Sequence, residues 1–203
     1  MMGLLIIGVT GGIGSGKSTV VRILQKYGAD VIFADDVAKE MTEPGMPAYK
    51  EIIKHFGAGI IGEDKRIDRK KLADIVFSDS AELQVLNRLT HSIVVERIRE
   101  LVDGYRNSGS KMVVVEAIVP VEHGFLDLVD SVWVVLADQS SRIERVMKRS
   151  RMTYEEAERR IKSQMSDDMY ISIADQIIYN NGSLEELEEK VRGLLKDENY
   201  SLP

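Results

Sequence analysis

The amino-acid sequence predicts an α/β fold, in which a five-stranded parallel sheet is flanked by helices. Five short runs rich in valine and isoleucine are apolar without alternation, as in strands whose two faces are both buried. Segments with helical patterns separate these runs, which is typical of parallel strands. The runs are Leu4–Val9, Asp30–Phe33, Met112–Ala117, Ser131–Leu136 and Gln176–Tyr179.

The helices between these strands carry start and stop signals. Pro47 stands near the start of one predicted helix and Gly57 stands just past its end. Two segments, 153–156 and 183–186, begin with Thr or Ser and end with Glu, which predicts a capping box at each. Apolar residues recur at helical spacing from Glu82 to Asn107, which predicts one long helix or a broken pair with a core-facing stripe.

Composition limits the class of protein and its partners. A chain of 203 residues is long enough for one domain with its own core. It contains no cysteine, which excludes disulfides and thiolate metal sites and fits a cytoplasmic location. The net charge of -6 argues against nucleic-acid and anionic-membrane partners. The apolar run within "MMGLLIIGVT" is too short for a leader or a membrane span, and we interpret it as a buried strand.

The chain divides into a sheet core and two predicted additions. A polar and helical stretch without a strand pattern predicts a helical insertion at about residues 39–109. A basic segment at about residues 146–171 is predicted to form a helical lid. The core then comprises about residues 1–38, 110–145 and 172–203, and no Pro/Gly/Ser-rich linker separates the parts.

A glycine-rich loop follows the first strand and leads into a helix. Gly11, Gly16, Lys17 and Ser18 satisfy G-x-x-x-x-G-K-[ST], the P-loop pattern whose backbone N–H groups close around a phosphate. Lys17 is expected to reach the β- and γ-phosphates and Ser18 to bind Mg²⁺, whereas a plain glycine turn is the alternative. The residues assigned to the ATP site here are Gly11, Gly12, Ile13, Gly14, Ser15, Gly16, Lys17, Ser18 and Thr19.

Other motifs narrow the class of phosphate-binding protein. The chain has no Asn-Lys dipeptide, so the guanine-reading N-K-x-D motif of GTPases is absent. The run "VVVEA" ends in Glu116 alone, without the adjacent acids expected of a motor ATPase. A small-molecule kinase remains, and its acceptor hydroxyl needs an orienting or basic group at a strand end. Asp35, just after the second strand, is our candidate for that group, while Asp36 is expected to be the N-cap of the next helix.

A cluster of positive charge follows the fourth strand. Eight basic side chains and only four acidic ones lie between Arg142 and Lys162. A solvated charged helix is one interpretation of this pattern. We favour a lid that covers the phosphates, because phosphoryl transfer needs cations around the moving charge and exclusion of water.

Four ordered stretches resemble one family over nearly the whole chain. "TGGIGSGKS", "VIFADDVAKEM", "RMTYEEAERRIKSQM" and "ADQIIYNNGSLEEL" resemble the motifs of dephospho-CoA kinases. The resemblance implies transfer of the γ-phosphate of ATP to the ribose 3'-hydroxyl of dephospho-CoA, with Mg²⁺. We expect the protein to be a monomer or weak homo-oligomer. It implies a P-loop NTPase fold with the helical acceptor-binding insertion and the lid.

The same resemblance assigns roles to single residues. Asp35 would be the base or orienter of the hydroxyl and, with Lys17 and Arg149, a catalytic residue. The remaining assignments place Arg69 and His91 on the acceptor in the helical insertion, Arg149 and Arg160 on phosphates as lid arginines, and Asn180 beside the adenine of ATP.

The chain also departs from the family pattern at several positions. Phe33 stands where an aspartate is expected, and Ser92 replaces a proline. Glu122 matches a family acid with Pro120 displaced, and an arginine expected shortly before Ala174 is absent. Two alternatives remain open: a P-loop kinase that acts on a nucleoside, nucleotide or shikimate-like alcohol, and a non-catalytic ATP-binding regulator.

Overall fold

A computed structural model describes residues 3–117, 125–198 and 200, which form one parallel sheet covered by helices. The predicted number and chain order of the strands are confirmed. Relative to the prediction, β1 is shifted by one residue at both ends and β3 ends one residue earlier. Neighbouring strands pair in the order β2-β3-β1-β4-β5, all parallel. The strands are β1 (Leu5–Thr10), β2 (Asp30–Phe33), β3 (Met112–Glu116), β4 (Ser131–Leu136) and β5 (Gln176–Tyr179).

Helices connect the strands and cover both faces of the sheet. No helix in the described ranges is long and apolar enough to cross a membrane. Two short 3₁₀ turns, at Ala58–Ile60 and Leu126–Leu128, complete the connections. The α-helices are α1 (Lys17–Lys26), α2 (Ala34–Met41), α3 (Pro47–Phe56), α4 (Arg69–Ser78), α5 (Ser80–Asn107), α6 (Gln139–Ser150), α7 (Tyr154–Lys162), α8 (Asp167–Ile171) and α9 (Leu184–Asp197).

The helix signals in the sequence act as predicted in all but one case. Pro47 is the first residue of α3, Gly57 follows its end at φ 81°, and the stripe up to Asn107 forms one unbroken helix. Both capping boxes are present. The prediction that Asp36 is an N-cap is wrong: α2 begins at Ala34, so Asp36 lies in the first turn and pairs with Lys39.

Alternate residues of β1, β2 and β3 face two separate cores. In β3, Met112 and Val114 pack with α1 and α9, whereas Val113 and Val115 pack with the helices of the opposite face. That opposite core includes residues of α2, α3, α4 and α5, so the helical insertion shares a core with the sheet. Because the strands are parallel, the segments that follow β1, β2 and β3 meet at one edge of the sheet.

We expect Ser183→Ala to lower the free energy of unfolding by about 1 kcal/mol, because the Ser183 Oγ caps the first turn of α9. This oxygen accepts a hydrogen bond from the Glu186 N–H at 3.2 Å. Urea unfolding measures the effect. Ser140→Ala, at an exposed position within the first turn of α6, is the control, and we expect a change within about 0.5 kcal/mol there. Equal changes in the two variants would contradict the capping role.

Candidate active site

The glycine loop connects β1 to α1 in a conformation that favours glycine. Gly11, Gly14 and Gly16 have φ values of 141°, 79° and 102°, in the region that side chains disfavour. Gly16 is the N-cap of α1 and Lys17 is the first helical residue. The N-terminus of α1 therefore presents backbone N–H groups and a partial positive charge next to the loop, which suits a phosphate.

Close contacts with other segments of the protein also require glycine in this loop. A Cβ at Gly16 would lie 2.0 Å from Nδ2 of Asn180, and one at Gly12 would lie 2.1 Å from Nη2 of Arg142. At Gly11 a Cβ would lie 2.2 Å from the carbonyl oxygen of Val135, in β4. These separations are far below van der Waals contact. The glycines therefore serve the packing of the loop against its own protein as well as its approach to a ligand.

Hydrogen bonds from distant segments hold the carbonyl groups of the loop. Nδ2 of Asn180 donates to the carbonyl of Ser15 at 2.8 Å. Nη1 of Arg145 donates to the carbonyls of Gly14 and Ser15 at 3.2 and 3.3 Å, and its Nη2 donates to the carbonyl of Asn180 at 2.9 Å. Asn180 is buried and braces the loop, while its predicted position beside adenine stays a prediction.

Lys17 and two carboxylates form the charged centre of the site. Nζ of Lys17 donates to the carbonyls of Gly11 and Gly12 at 2.7 and 3.2 Å, so the amine lies against the loop. Burial lowers the pKa of Lys17 to about 8, although Glu116 and Asp35 act in the opposite direction. Burial likewise raises the pKa of Glu116, which ends β3, against the opposing charge of Lys17. Burial thus opposes the positive charge of Lys17, which a bound phosphate would favour.

Two cavities meet at Asp35. The first, the loop cavity, has a volume of about 340 Å³ and lies over the glycine loop. The second, the insertion cavity, has a volume of about 360 Å³ and lies between α2 and the helices of the insertion. Asp35, in the first turn of α2, lines both. The loop cavity is also lined by Ile13, Gly14, Gly16, Lys17, Ser18, Thr19, Arg22, Phe33, Glu116, Arg145, Val146, Arg149, Arg160 and Gln164.

The structure brings most of the predicted site residues together. Arg149 and Arg160 join Lys17 in the loop cavity, and Arg69 lines the insertion cavity with Thr90. The predicted loop residues that do not line the loop cavity, Gly11, Gly12 and Ser15, are buried within the loop. His91 and Asn180 line neither cavity; His91 is half-buried on α5, next to Thr90. Pro120 and Glu122 lie outside the described residues.

Sequence reasoning missed several residues of the site. Glu116 follows the strand-end argument that identified Asp35, since it ends the strand between β1 and β2. Phe33, which replaces an expected aspartate, is 41% exposed and lines the loop cavity. Gln164 and Arg145 carry no local motif, because their contacts with the loop are made across more than a hundred residues of chain.

The oxygen atoms around the loop suit a hard cation. Ser18 is exposed in the loop cavity, where Glu116 and Asp35 add carboxylate oxygens. Within the described ranges, no group of three or more His, Cys, Asp or Glu residues could hold a metal ion. The Ser18 hydroxyl and the carboxylates of Glu116 and Asp35 fit Mg²⁺, which is bound by one or two protein oxygens together with phosphate oxygens.

Comparison with known proteins identifies a family. The family model described as Dephospho-CoA kinase matches residues 5–186. A dephospho-CoA kinase of Carboxydothermus hydrogenoformans is 41% identical over 196 residues, which is 97% of this chain and 95% of that protein. One from Geobacter sulfurreducens is 42% identical over 186 residues, 92% of this chain and 94% of that protein.

Solved structures agree on the fold. A Thermus thermophilus protein superposes with a TM-score of 0.78 at 32% identity, over 96% of this chain and 98% of that one. Dephospho-CoA kinase from Campylobacter jejuni has a TM-score of 0.67 at 24% identity, over 95% and 96% of the two chains. At that identity the second likeness supports the fold alone.

Gly16→Ala should abolish measurable ATP binding while the protein stays folded. The added Cβ would displace Asn180, and alanine is strained at φ 102°. Titration calorimetry measures the affinity and thermal unfolding checks the fold. Gly104→Ala is the matched control, because a Cβ there meets nothing within 4 Å and the position lies inside α5. ATP affinity within twofold of wild type for Gly16→Ala would contradict this account of the loop.

ATP binding should weaken as the pH rises above about 8, the pKa to which burial lowers Lys17. The neutral amine loses its attraction for phosphate, so binding must restore the proton, and affinity should fall by about fivefold from pH 8 to pH 9. Calorimetry in buffers of different ionisation enthalpy measures this proton uptake. Lys17→Met should bind weakly without the added pH dependence. A pH profile shared by both proteins would rule out Lys17 as its source.

Proposed function

This chain belongs to the dephospho-CoA kinase family, and we propose that Asp35, Lys17 and the arginines of the loop cavity carry the family reaction in it. The chain phosphorylates the ribose 3'-hydroxyl of dephospho-CoA with ATP, yielding coenzyme A and ADP in the final step of coenzyme A synthesis. One observation carries the proposal for the residues: Asp35 lines both the cavity over the phosphate loop and the cavity of the helical insertion.

Asp35 is proposed to orient the acceptor hydroxyl and to accept its proton. A hydroxyl that reaches Asp35 from the insertion cavity would face a γ-phosphate held over the glycine loop. Its carboxylate is exposed and needs no rearrangement of the core to meet a ligand. Kinase catalysis depends mainly on such positioning, because the loose transition state demands little covalent help.

Cations around the loop cavity are proposed to stabilise the charge that moves during transfer. Lys17 and Arg22 extend from α1, whereas Arg149 and Arg160 extend from α6 and α7. Fixed charges in a cavity that excludes water stabilise a transition state more than the same charges in bulk water do. The Ser18 hydroxyl is the proposed protein ligand of Mg²⁺, which offsets the charge of the phosphates when it is bound.

The insertion cavity is proposed to hold the acceptor. Its lining combines an apolar floor, which includes Ile52 and Leu86, with polar groups such as Arg69 and Thr90. An exposed arginine suits a phosphate of dephospho-CoA, and apolar side chains suit its organic part. His91, half-buried on α5, is proposed as a second acceptor residue because it matches a position of the family pattern.

Broader properties are proposals as well. We assign the acceptor-binding insertion to about residues 39–109, the lid to about residues 146–171 and the core to the remainder. We propose a cytoplasmic location, which the absence of cysteine supports, and no nucleic-acid or membrane partners, which the net charge of -6 supports. A monomer or weak homo-oligomer is proposed as well.

Asp35→Asn should lower kcat by about 100-fold or more while ATP affinity stays near the wild-type value, because the amide cannot accept the proton. Asp36→Asn is a matched control, since Asp36 is the next residue, is also exposed and pairs only with Lys39 in the described ion pairs. Formation of ADP and coenzyme A at saturating substrates measures both variants. Wild-type turnover by Asp35→Asn would exclude the assigned role.

A panel of acceptors separates the role of Asp35 from the choice of acceptor. Dephospho-CoA should be phosphorylated, whereas a nucleoside monophosphate and shikimate should not. Turnover of either of those compounds without turnover of dephospho-CoA would point to a different alcohol-phosphorylating P-loop kinase.

A further inference from the structure

Ile13 makes more contacts with the segment after β4 than its place in the loop requires. It is the third residue of G-x-x-x-x-G-K-[ST], a position that the motif leaves unspecified. Its backbone N–H donates to Oε1 of Gln164 at 2.6 Å, and its carbonyl accepts from Nε of Arg142 at 3.1 Å. Gln164 follows α7 and Arg142 lies in α6, so the same peptide segment is held from both helices.

The Ile13 side chain completes a small hydrophobic core that belongs to these helices. We call α6, α7 and the turn between them the lid hairpin, residues 139–162. Its two helices pack through a buried cluster, and Ile13 is the loop residue packed against that cluster. The buried members are Ile143, Val146, Ala157 and Ile161. The loop therefore contributes an apolar side chain to the interior of the lid hairpin.

Arg142 extends this connection to α8. Its side chain is only 7% exposed and its Nη1 pairs with Oδ1 of Asp167, the first residue of α8, at 3.1 Å. The Nη2 atom has no hydrogen-bond partner among the residues that the structure describes, and it lies against Gly12. A buried guanidinium with one unpaired nitrogen is costly, and two bonds to fixed groups hold it in place.

We propose that Ile13 is a positioning residue that couples the glycine loop to the lid hairpin. Arg149 and Arg160 lie on that hairpin and line the same cavity as Ile13 and Gln164. When the lid hairpin is held at Ile13, Arg149 and Arg160 are positioned next to the triphosphate that the loop binds. The inference rests on the proposed roles of the two arginines.

Coupling of this kind has a chemical consequence that simple stabilisation lacks. A hairpin in register with the loop shields the γ-phosphate from water and brings cations to it when the acceptor is in place. A hairpin detached from Ile13 leaves ATP bound but poorly covered, so water competes with the ribose hydroxyl. The amount of ADP formed per coenzyme A then rises above one.

Ile13→Ala, Gln164→Met and the double variant test the coupling. Each single variant should lower kcat about tenfold and raise the ratio of ADP to coenzyme A, with KM for dephospho-CoA within about twofold of wild type. In the double variant the two effects should be less than additive, because both substitutions break one connection. Val191→Ala, at a buried position of α9, is a control that should lower thermal stability and leave the ratio at one.

A wild-type ratio and kcat in both single variants would overturn the coupling, as would a Val191→Ala control that raises the ratio equally. Fully additive effects in the double variant would also contradict a shared connection. Failure of the proposed arginine roles looks different. Arg149→Met and Arg160→Met would then keep wild-type kcat. The ratio of ADP to coenzyme A in Ile13→Ala would still show whether the loop and the lid hairpin are coupled.

Discussion

The site depends on one steric constraint: neighbouring segments of the protein leave no room for a Cβ at three glycines of the loop. Three separate segments press on it: the carbonyl of Val135 at the end of β4, Arg142 on α6 and Asn180 after β5. Each would collide with a Cβ at the glycine it faces, so the loop can lie where it does only with glycine at Gly11, Gly12 and Gly16. Because β4 and β5 are themselves held in the sheet, the loop conformation is fixed by the fold before any nucleotide binds.

This packing explains the electrostatic state of the site. The carbonyls of Gly11 and Gly12 accept from the buried Lys17, whose positive charge Glu116 and Asp35 favour. Burial opposes the charge of Lys17 and also that of Glu116, so the site without ligand keeps both groups in unfavourable surroundings. A bound phosphate favours the charged form of Lys17 and so offsets the effect of burial on it. The charge of the ligand therefore helps to stabilise the site. The chain therefore concentrates positive charge locally despite a net charge of -6.

The fold could be predicted from the sequence because its signals are local. Buried parallel strands are continuous apolar runs, and the capping boxes span four residues. Both signals lie within short stretches of sequence and can be recognised there. The prediction for Asp36 is wrong because α2 begins three residues earlier than an N-cap at Asp36 implies: its N-cap is Phe33. The bonds of Asn180 and Gln164 to the loop were beyond local reasoning, since they cross 165 and 151 residues of chain. Only the folded topology brings them to the loop.

The residues that the P-loop pattern specifies serve phosphate binding. The positions that it leaves unspecified can serve contacts between the loop and the rest of this protein. Ile13 could be any residue if the loop only had to wrap a phosphate. Here its N–H, its carbonyl and its side chain each have a partner in or beside the lid hairpin. Three independent contacts at one residue fix both position and orientation, whereas one hydrogen bond would leave rotation free. The unspecified positions of a ligand-binding motif are therefore where the coupling between that motif and its own fold is encoded.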